Sequence, residues 1–195
     1  LGDKNLAIAK LKEDFGINAR THSEHDNVVL FKYDQLESPM GERVVQESRG
    51  IILNSNDWSI IARPYDKFFN IEEGHAADVD WESARIFEKL DGSILSIYFY
   101  NGEWHCSTSG TPDAFGQVHG FNFSFKELFW NVWNELGYTL PSAEDQTKTF
   151  MFELMTPYNR IVVPHKENKL VLHGVRDSQT GDEFNPESYC EKYGW

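Results

Sequence analysis

Apolar residues at helical spacing predict two amphipathic helices in this chain. The first covers residues 4–15, where Asp3 can cap the start of the helix and a glycine can end it. The second covers residues 125–136 and opens with Ser124 followed three positions later by Glu127, which is the pattern of a capping box. We expect both helices to pack on the outside of a sheet.

Strand-like patterns occupy most of the remaining chain. Asn101-Gly102 favours a two-residue hairpin turn, and the Gly/Pro/Asn-rich segment 110–123 predicts a loop. Because hairpins pair strands antiparallel, the pattern predicts an α+β fold rather than a doubly wound parallel sheet. The predicted strands are short apolar runs bounded by turn residues, at 28–33, 47–53, 58–64, 86–89, 93–100, 149–155 and 169–175.

Composition and charge narrow the class of protein. The 195 residues, 40% of them hydrophobic and 14% aromatic, suit one globular domain or one domain with an appendage. The net charge of −13 argues against a general nucleic-acid coat protein, although an enzyme with a small basic site remains compatible with it. Two cysteines make neither a disulfide framework nor a zinc site, which favours a reducing, cytoplasmic location. No apolar run reaches the roughly 20 residues of a membrane span, so we expect no membrane partner.

Lys89 is the first candidate for chemistry. It stands just before Asp91-Gly92, a pair that favours a tight turn. One interpretation is an ordinary surface hairpin with an exposed lysine. The other is a nucleophile held at the rim of a sheet and facing a pocket. An amine attacks phosphorus only when it is neutral, so a nucleophilic lysine needs surroundings that disfavour its charge.

Three cations are concentrated in one part of this acidic chain. They are Arg49, Arg63 and Lys67, and arginine forks suit the recognition of phosphate or carboxylate. The alternative is that they form ion pairs with the neighbouring Glu47 and Asp66.

Glu153 interrupts an apolar strand at 149–155. A buried carboxylate is costly unless it is paired or bound to a metal or ligand, so Glu153 is a second candidate for chemistry. The alternative is an edge-exposed glutamate.

Two further groups of side chains suggest mainly structural roles. We expect Phe68 and Phe69 to belong to the core, with one ring free to face a ligand. His22 and His25 form an HxxH pattern, but no third ligand with metal spacing accompanies them, which predicts solvated loop residues. Neither a P-loop nor a GxSxG nucleophile motif occurs.

Taken in order, these segments resemble the covalent nucleotidyltransferase superfamily of polynucleotide ligases and mRNA capping enzymes. The closer resemblance is to the phage-type ATP-dependent RNA ligases, such as the tRNA-repair ligase of T-even phages. The KxDG motif alone is weak, whereas the ordered blocks are specific and span about residues 47–184. The blocks are ESRGIIL, ARPYDKFFNIEE, FEKLDGSILSIY, FMFELMTPYNRIVV and KLVLHGVRDSQTGDEF.

The resemblance implies a fold and a reaction. The fold is an antiparallel-sheet, ATP-grasp-like nucleotidyltransferase fold, with residues 1–195 forming an adenylyltransferase domain. Lys89 attacks the α-phosphate of ATP, forms a lysyl-AMP adduct and releases pyrophosphate. AMP then passes to the 5′-phosphate of an RNA end, and a 3′-hydroxyl displaces AMP to seal the strand. The implied substrates are ATP and RNA ends, tRNA among them.

The same resemblance implies binding roles. Mg²⁺ or Mn²⁺ lies near Glu153 and Asp91, with Asp91 acting through water. Lys169, which opens the last predicted strand, is interpreted as solvated and receives no role. The implied nucleotide-binding residues are Glu88, Lys89, Asp91, Gly92, Arg49, Lys67, Phe69 and Glu153.

The sequence departs from the family pattern in two places. Ser109 stands where the family block usually has a basic residue before the glycine, which puts one triphosphate contact in doubt. The later acidic strand and paired-lysine KxK strand do not follow Leu172, so we expect a fold that lacks its final strands. This favours a fragment incomplete at its C-terminus or a naturally shortened protein. As a fragment, the chain would have crippled ATP chemistry in isolation, and the missing part could carry the basic RNA-binding surface.

Two other functions remain open from the sequence. A capping-type guanylyltransferase or a DNA ligase would use the same chemistry with another nucleotide or strand. A non-catalytic module that binds nucleotides or RNA ends is favoured by Ser109 and the absent KxK strand. The joint presence of Lys89, Asp91, Gly92 and Glu153 argues against that module.

Overall fold

The computed structural model describes residues 2–195 and confirms an α+β fold with two antiparallel sheets. The strands of the first sheet are β1 (Asn18–Thr21), β2 (Val28–Lys32), β3 (Arg49–Asn54) and β4 (Ile60–Ala62), paired in that order. The strands of the second sheet are β5 (Ser93–Tyr100), β6 (Glu103–Thr108), β7 (Lys148–Met155), β8 (Lys169–Asp177) and β9 (Glu183–Phe184), in the order β6-β5-β7-β8-β9. The helices are α1 (Lys4–Phe15), α2 (Arg43–Glu47), α3 (Phe125–Glu135) and α4 (Pro186–Tyr193), and a 3-10 turn covers Ala143–Asp145.

The two sheets pack face to face, and the helices cover their outer faces. Val28, Leu30 and Ile52 of the first sheet meet the buried Tyr98 of β5 in the central layer. On the other side of the first sheet, Phe31 and its neighbours pack beneath α1 and α2. The outer face of the second sheet packs on α3, with Phe152 among its central residues. This layering follows from strand alternation, which gives each sheet two apolar faces to cover.

Local sequence signals at the helix ends are confirmed. The Asp3 carboxylate accepts hydrogen bonds from the backbone of Asn5 and Leu6 at the start of α1. At α3, the Ser124 hydroxyl accepts from the Glu127 backbone and the Glu127 carboxylate accepts from the Ser124 backbone, which completes the capping box. Both caps satisfy backbone donors that the first turn of a helix leaves free.

The predicted hairpin turn between β5 and β6 is also confirmed. Asn101 and Gly102 adopt φ values of 51° and 91°, the left-handed conformation that both central positions of a type I′ turn require. The turn sets a register that pairs Leu95 with Thr108 and Tyr100 with Glu103.

The predicted strand at 86–89 is wrong. Residues 63–92 contain neither helix nor strand. β5 pairs with β6 on one side and with β7 on the other, so neither edge of β5 is free to form hydrogen bonds with the 86–89 segment. The predicted strand at 47–53 begins only at Arg49, and the preceding residues form α2 instead.

The expectation that His22 and His25 are solvated is wrong. His22 is 3% exposed, and its ring centroid lies 4.8 Å from that of the half-buried His25. His105 of β6 packs against both rings. The third histidine is far along the chain, so sequence spacing could not reveal it.

The sequence analysis did not predict α4, although the sequence contains its signals. Asn185 caps the helix, Pro186 occupies its first turn and Gly194 ends it in the left-handed conformation. The helix packs on the second sheet, where Trp195 contacts Phe150 and Phe152. Among the described residues, no helix is both long and apolar enough to cross a membrane.

A buried carboxylate fastens α4 to the rest of the fold. Asp145, with 5% of its side chain exposed, accepts hydrogen bonds from Lys192 at 2.7 Å and Lys148 at 2.9 Å and contacts the Tyr193 hydroxyl. Glu144 also pairs with Lys192, but 68% of the Glu144 side chain is exposed. Because water screens the exposed pair, Asp145 should contribute most of the stabilisation.

We therefore expect Asp145→Asn to lower the free energy of unfolding by about 1–3 kcal/mol, since it leaves two lysines without a buried charged partner. The matched variant Glu144→Gln should cost clearly less, because water already screens its exposed carboxylate. Urea denaturation followed by tryptophan fluorescence measures both. Equal losses for the two variants would contradict this account of the cluster.

Candidate active site

A cleft of about 870 Å³ lies between the segment 65–92, the end of β7, the middle of β8, β9 and α4. Its wall joins side chains from separate parts of the sequence. From Lys169 to Gly174, the outer edge of β8 has no strand partner among the described residues, and the cleft runs along this edge. Of the residues singled out by sequence, the wall contains Arg49, Phe68, Glu88, Lys89, Gly92 and Glu153.

Lys89 lies on the cleft wall and is exposed to solvent. It belongs to an extended segment without regular hydrogen bonding, just before β5. Its positive charge acts on the Glu153 carboxylate across the same cleft. The amine is thus accessible to a ligand and has both Arg49 and Glu153 in its surroundings.

Asp91 anchors the Lys89 segment rather than lining the cleft. Its carboxylate accepts hydrogen bonds from the backbone of Val162 at 2.9 Å and of Val163 at 2.6 Å. These bonds hold the pKa of Asp91 below its usual range. The Asp91 carbonyl also contacts the Nε2 atom of His165 at 2.6 Å. The loop after β7 is therefore tied directly to the bend that follows Lys89.

Gly92 is required by the close approach of two backbones. A Cβ atom at this position would lie 2.4 Å from the carbonyl oxygen of Leu154, which is far inside contact distance. Asn159 tightens the same junction by donating to the Ser93 hydroxyl at 2.9 Å and to the Leu154 carbonyl at 2.8 Å. Asp91-Gly92 forms a bend rather than the predicted tight turn, and its close contact with Leu154 fixes Lys89 relative to β7.

Glu153 is nearly buried, with 14% of its side chain exposed. Burial raises its pKa, while the charge of Lys89 and the backbone N–H of Gly92 oppose that shift. One carboxylate oxygen lies 3.6 Å from Nε2 of His173. Of the two alternatives, an edge-exposed glutamate and a carboxylate facing a cavity, the structure has the second.

His173 is a residue of the cleft that the sequence analysis missed. It is the extra residue of a β-bulge, because Phe152 pairs with Leu172 whereas Met151 pairs with Gly174. Burial lowers the pKa of His173, and so does the charge of Arg49. The bulge arises from strand pairing, so no sequence signal could have identified it.

Tyr65 supports this part of the cleft wall. Its ring stacks on His173 with centroids 5.5 Å apart, and its hydroxyl donates to the His173 carbonyl at 2.7 Å. Burial raises the pKa of Tyr65 to about 12. A Cβ atom on Gly174 would lie 1.9 Å from the tyrosine hydroxyl oxygen, so the glycine makes this contact sterically accessible.

Arg49 faces the cleft without a carboxylate partner among residues 2–195. The acidic neighbours that were the alternative explanation pair elsewhere, Glu47 with Arg43 and Asp66 with Arg176. The guanidinium lies 4.8 Å from the ring centroid of Phe68. A β-bulge at the next residue directs Arg49, since Ile51 and Arg49 pair with consecutive residues of β2.

Lys67 and Phe69 lie outside the cleft wall, and so does Arg63. The Lys67 amine donates to the Phe68 carbonyl at 2.9 Å and lies 4.8 Å from the Phe69 ring centroid. The expectation that Phe68 and Phe69 belong to the core is wrong, because neither lies in a core cluster. One ring is free to face a ligand, as expected: Phe68 is 59% exposed and lines the cleft. The structure therefore presents Phe68 rather than Phe69 to a ligand.

A basic group stands beside Ser109 despite the departure from the family pattern. The Lys32 amine donates to the Ser109 hydroxyl at 3.2 Å. Lys32 pairs with Arg49 across β2 and β3, and Arg49 and Ser109 share a small pocket beside the main cleft. A lysine from another strand thus places a positive charge where the sequence pattern lacks one.

The similarity of this chain to known proteins covers the same segments. A family model described as RNA ligase matches residues 47–193. The chain is 33% identical, over 203 residues, to a putative bifunctional polynucleotide kinase/RNA ligase of Autographa californica nuclear polyhedrosis virus, an alignment that covers 95% of this chain and 28% of the relative. It is 30% identical over 207 residues to an RNA ligase of Rhodothermus phage RM378, covering 88% of this chain and 45% of the relative.

A third relative, RNA ligase 1 of Bacteriophage TS2126, is 26% identical over 193 residues, with 93% of this chain and 46% of the relative covered. The chain spans between about a quarter and a half of the length of these relatives. The matched region contains Arg49, Lys89 and Glu153, the residues that the fold gathers around the cleft. The chain therefore belongs to the phage-type RNA ligase family.

Proposed function

We propose that this cleft transfers AMP from ATP to the 5′-phosphate of an RNA end, and that a 3′-hydroxyl then displaces AMP to seal the strand. The observation that carries the proposal is the convergence of Lys89, Arg49 and Glu153 on one cleft wall from three separate segments. We assign residues 1–195 to an adenylyltransferase domain with a nucleotidyltransferase fold.

Lys89 is the proposed nucleophile. Its amine, once neutral, attacks the α-phosphorus of ATP, so that a P–N bond forms and the P–O bond to pyrophosphate breaks. Glu153 can accept the proton that Lys89 must lose, because burial raises the pKa of this carboxyl. Arg49 can neutralise phosphate charge in the same cleft, which is the main requirement of phosphoryl and nucleotidyl transfer.

Aromatic and carboxylate groups of the wall suit the rest of the nucleotide. The exposed Phe68 ring can stack on a base, and Glu88 lies beside the nucleophile, where a base contact is expected. Asp91 and Gly92 hold the Lys89 segment against β7, and Lys67 binds the Phe68 carbonyl from outside the wall. RNA ends are the proposed second substrate, with tRNA as one class of them.

The donor set also fits Mg²⁺ or Mn²⁺. Both metals prefer oxygen ligands, and Mg²⁺ is commonly held by one or two carboxylates together with water and substrate phosphates. Glu153 is a carboxylate on the cleft wall, and Glu183 and Glu187 line the same cleft. Both backbone hydrogen bonds to Asp91 go to the same carboxylate oxygen, which leaves the other oxygen free. Because Asp91 does not line the cleft, this free oxygen would act on the metal through water. When bound, the metal would offset negative charge on the phosphates.

We expect Lys89→Ala and Lys89→Arg both to abolish covalent AMP attachment, because neither side chain offers a neutral amine. Intact-mass measurement after incubation with ATP and Mg²⁺ detects the AMP adduct, and labelled ATP and GTP compared in parallel identify the nucleotide. The exposed Lys166→Ala is the matched control and should retain the adduct. An adduct on either Lys89 variant would overturn the nucleophile assignment. Label retained from GTP alone would indicate a guanylyltransferase.

We expect Glu153→Gln to reduce AMP attachment while raising thermal stability at pH 7.5. A raised folded-state pKa means that ionisation of Glu153 costs stability as the pH rises through that pKa, and the amide avoids this cost. As the pH falls through the ordinary glutamate pKa of about 4.3, the unfolded wild type also takes up the proton, so the difference should become much smaller. Thermal unfolding of the variant and the wild type at pH 7.5 and pH 4 measures this difference in stability. A variant less stable than wild type at pH 7.5 would refute this account.

We infer that Lys32, beside Ser109, contacts the triphosphate of ATP. Lys32→Gln should therefore raise the ATP concentration for half-maximal AMP attachment about tenfold or more, because this charged hydrogen bond is lost. Lys12→Gln is the matched control, since Lys12 pairs with Glu37 on the surface. Initial rates of AMP attachment at varied ATP concentrations measure the effect. Equal half-saturation values for both variants would show that Lys32 does not act on the triphosphate.

A further inference from the structure

Three histidines converge where the two sheets meet. His22 and His25 lie in the turn between β1 and β2, and His105 lies on β6 of the other sheet. One ligand nitrogen from each ring falls within 4.8 Å of the other two. The cluster thus joins elements of both sheets in one small volume.

The cluster is separate from the candidate active site. The rings of His25 and His105 pack against Tyr100, the last residue of β5. Ile94, near the first residue of the same strand, lines the cleft. Six residues of extended strand separate the two ends by about 20 Å. The nucleotide chemistry proposed above therefore does not use these histidines.

Each of the three rings offers a nitrogen atom to a ligand. The Nε2 atoms of His22 and His25 are buried without a hydrogen-bond partner among the described residues. His105 Nε2 lies 3.2 Å from the Tyr100 carbonyl, and donation there leaves Nδ1 free as a ligand atom.

We propose that His22, His25 and His105 bind a Zn²⁺ ion that clips the β1–β2 turn to β6. Zinc is commonly bound by histidine nitrogens in tetrahedral geometry, and water can occupy a fourth position. The proposal does not rest on the function proposed for the cleft.

The spacing of the rings matches this geometry. Three imidazoles around one tetrahedral zinc, with Zn–N bonds of about 2.05 Å, place their ring centroids about 5 Å apart. The observed centroid separations are 4.8 Å, 5.4 Å and 5.6 Å. Small side-chain rotations therefore suffice to bring the three nitrogens onto one ion.

Binding changes the tautomer of one ring. His22 Nδ1 accepts a hydrogen bond from the Glu24 backbone at 3.1 Å, which puts the proton of the neutral ring on the buried Nε2. Coordination through Nε2 moves that proton to Nδ1 and breaks the bond to Glu24. The metal-free state therefore keeps an unpaired buried N–H on Nε2. Zinc replaces it with a Zn–N bond, and in exchange the Glu24 N–H and the new Nδ1–H must each find another partner.

Zinc titration of the tag-free, chelator-treated 195-residue chain tests the proposal. In isothermal titration calorimetry without nucleotide, we expect one Zn²⁺ per chain. At a hundredfold excess over the Kd, zinc should raise the Tm by about 5–10 °C. Magnesium chloride should give no such shift, because Mg²⁺ requires oxygen ligands.

Three variants separate the site from adventitious binding. His22→Gln and His25→Gln should lose the stoichiometric binding and the Tm shift, and the exposed His119→Gln should keep both. His25 is only half-buried, so its variant should fold even if His22→Gln does not, and circular dichroism checks this. Absence of stoichiometric binding by the wild type, or wild-type binding by folded His25→Gln, would overturn the proposal. Neither result would affect the AMP-attachment experiments.

Discussion

The close approach of Gly92 to the Leu154 carbonyl is the constraint on which the candidate site depends. No side chain larger than hydrogen fits there, so the segment carrying Lys89 lies directly on the end of β7. The Asp91 carboxylate extends this junction by binding the backbone of the loop after β7. An exposed lysine in a segment without regular structure thereby acquires a defined position. Glu153 precedes Leu154 on β7, so the same contact also fixes the Glu153 carboxylate relative to Lys89.

Two β-bulges complete the site. One lies at Gly50, where a φ of 98° is accessible to glycine, and it directs Arg49 towards the cleft. The other inserts His173 into β8 opposite Phe152. In a regularly paired strand, side chains alternate strictly between the two faces of the sheet. Each bulge interrupts this alternation and leaves one residue unpaired, so that an additional side chain faces the cleft. The site is therefore assembled by departures from ideal sheet geometry.

Positive side chains lie near the cleft although the chain as a whole is strongly negative. The net charge is −13, yet Arg49 faces the cleft because Glu47 and Asp66 are occupied by other arginines. Lys32 adds a second positive group next to Ser109. An anionic ligand would meet these cations at short range, where local charges outweigh more distant ones that solvent and salt screen. Net charge alone would not reveal this.

The sequence by itself determined the features that depend on neighbouring residues. Helix caps at Asp3 and Ser124 and the Asn101-Gly102 turn were predictable, because their hydrogen bonds and φ angles are set within a few positions. The ordered blocks around Lys89 and Glu153 also identified the family. Only the tertiary structure decided that 86–89 is no strand, that His173 enters the cleft, and that Lys32 meets Ser109. It also brought His105 to the buried histidine pair. These outcomes depend on which strands pair and where the pairing slips, and contacts between distant residues decide both.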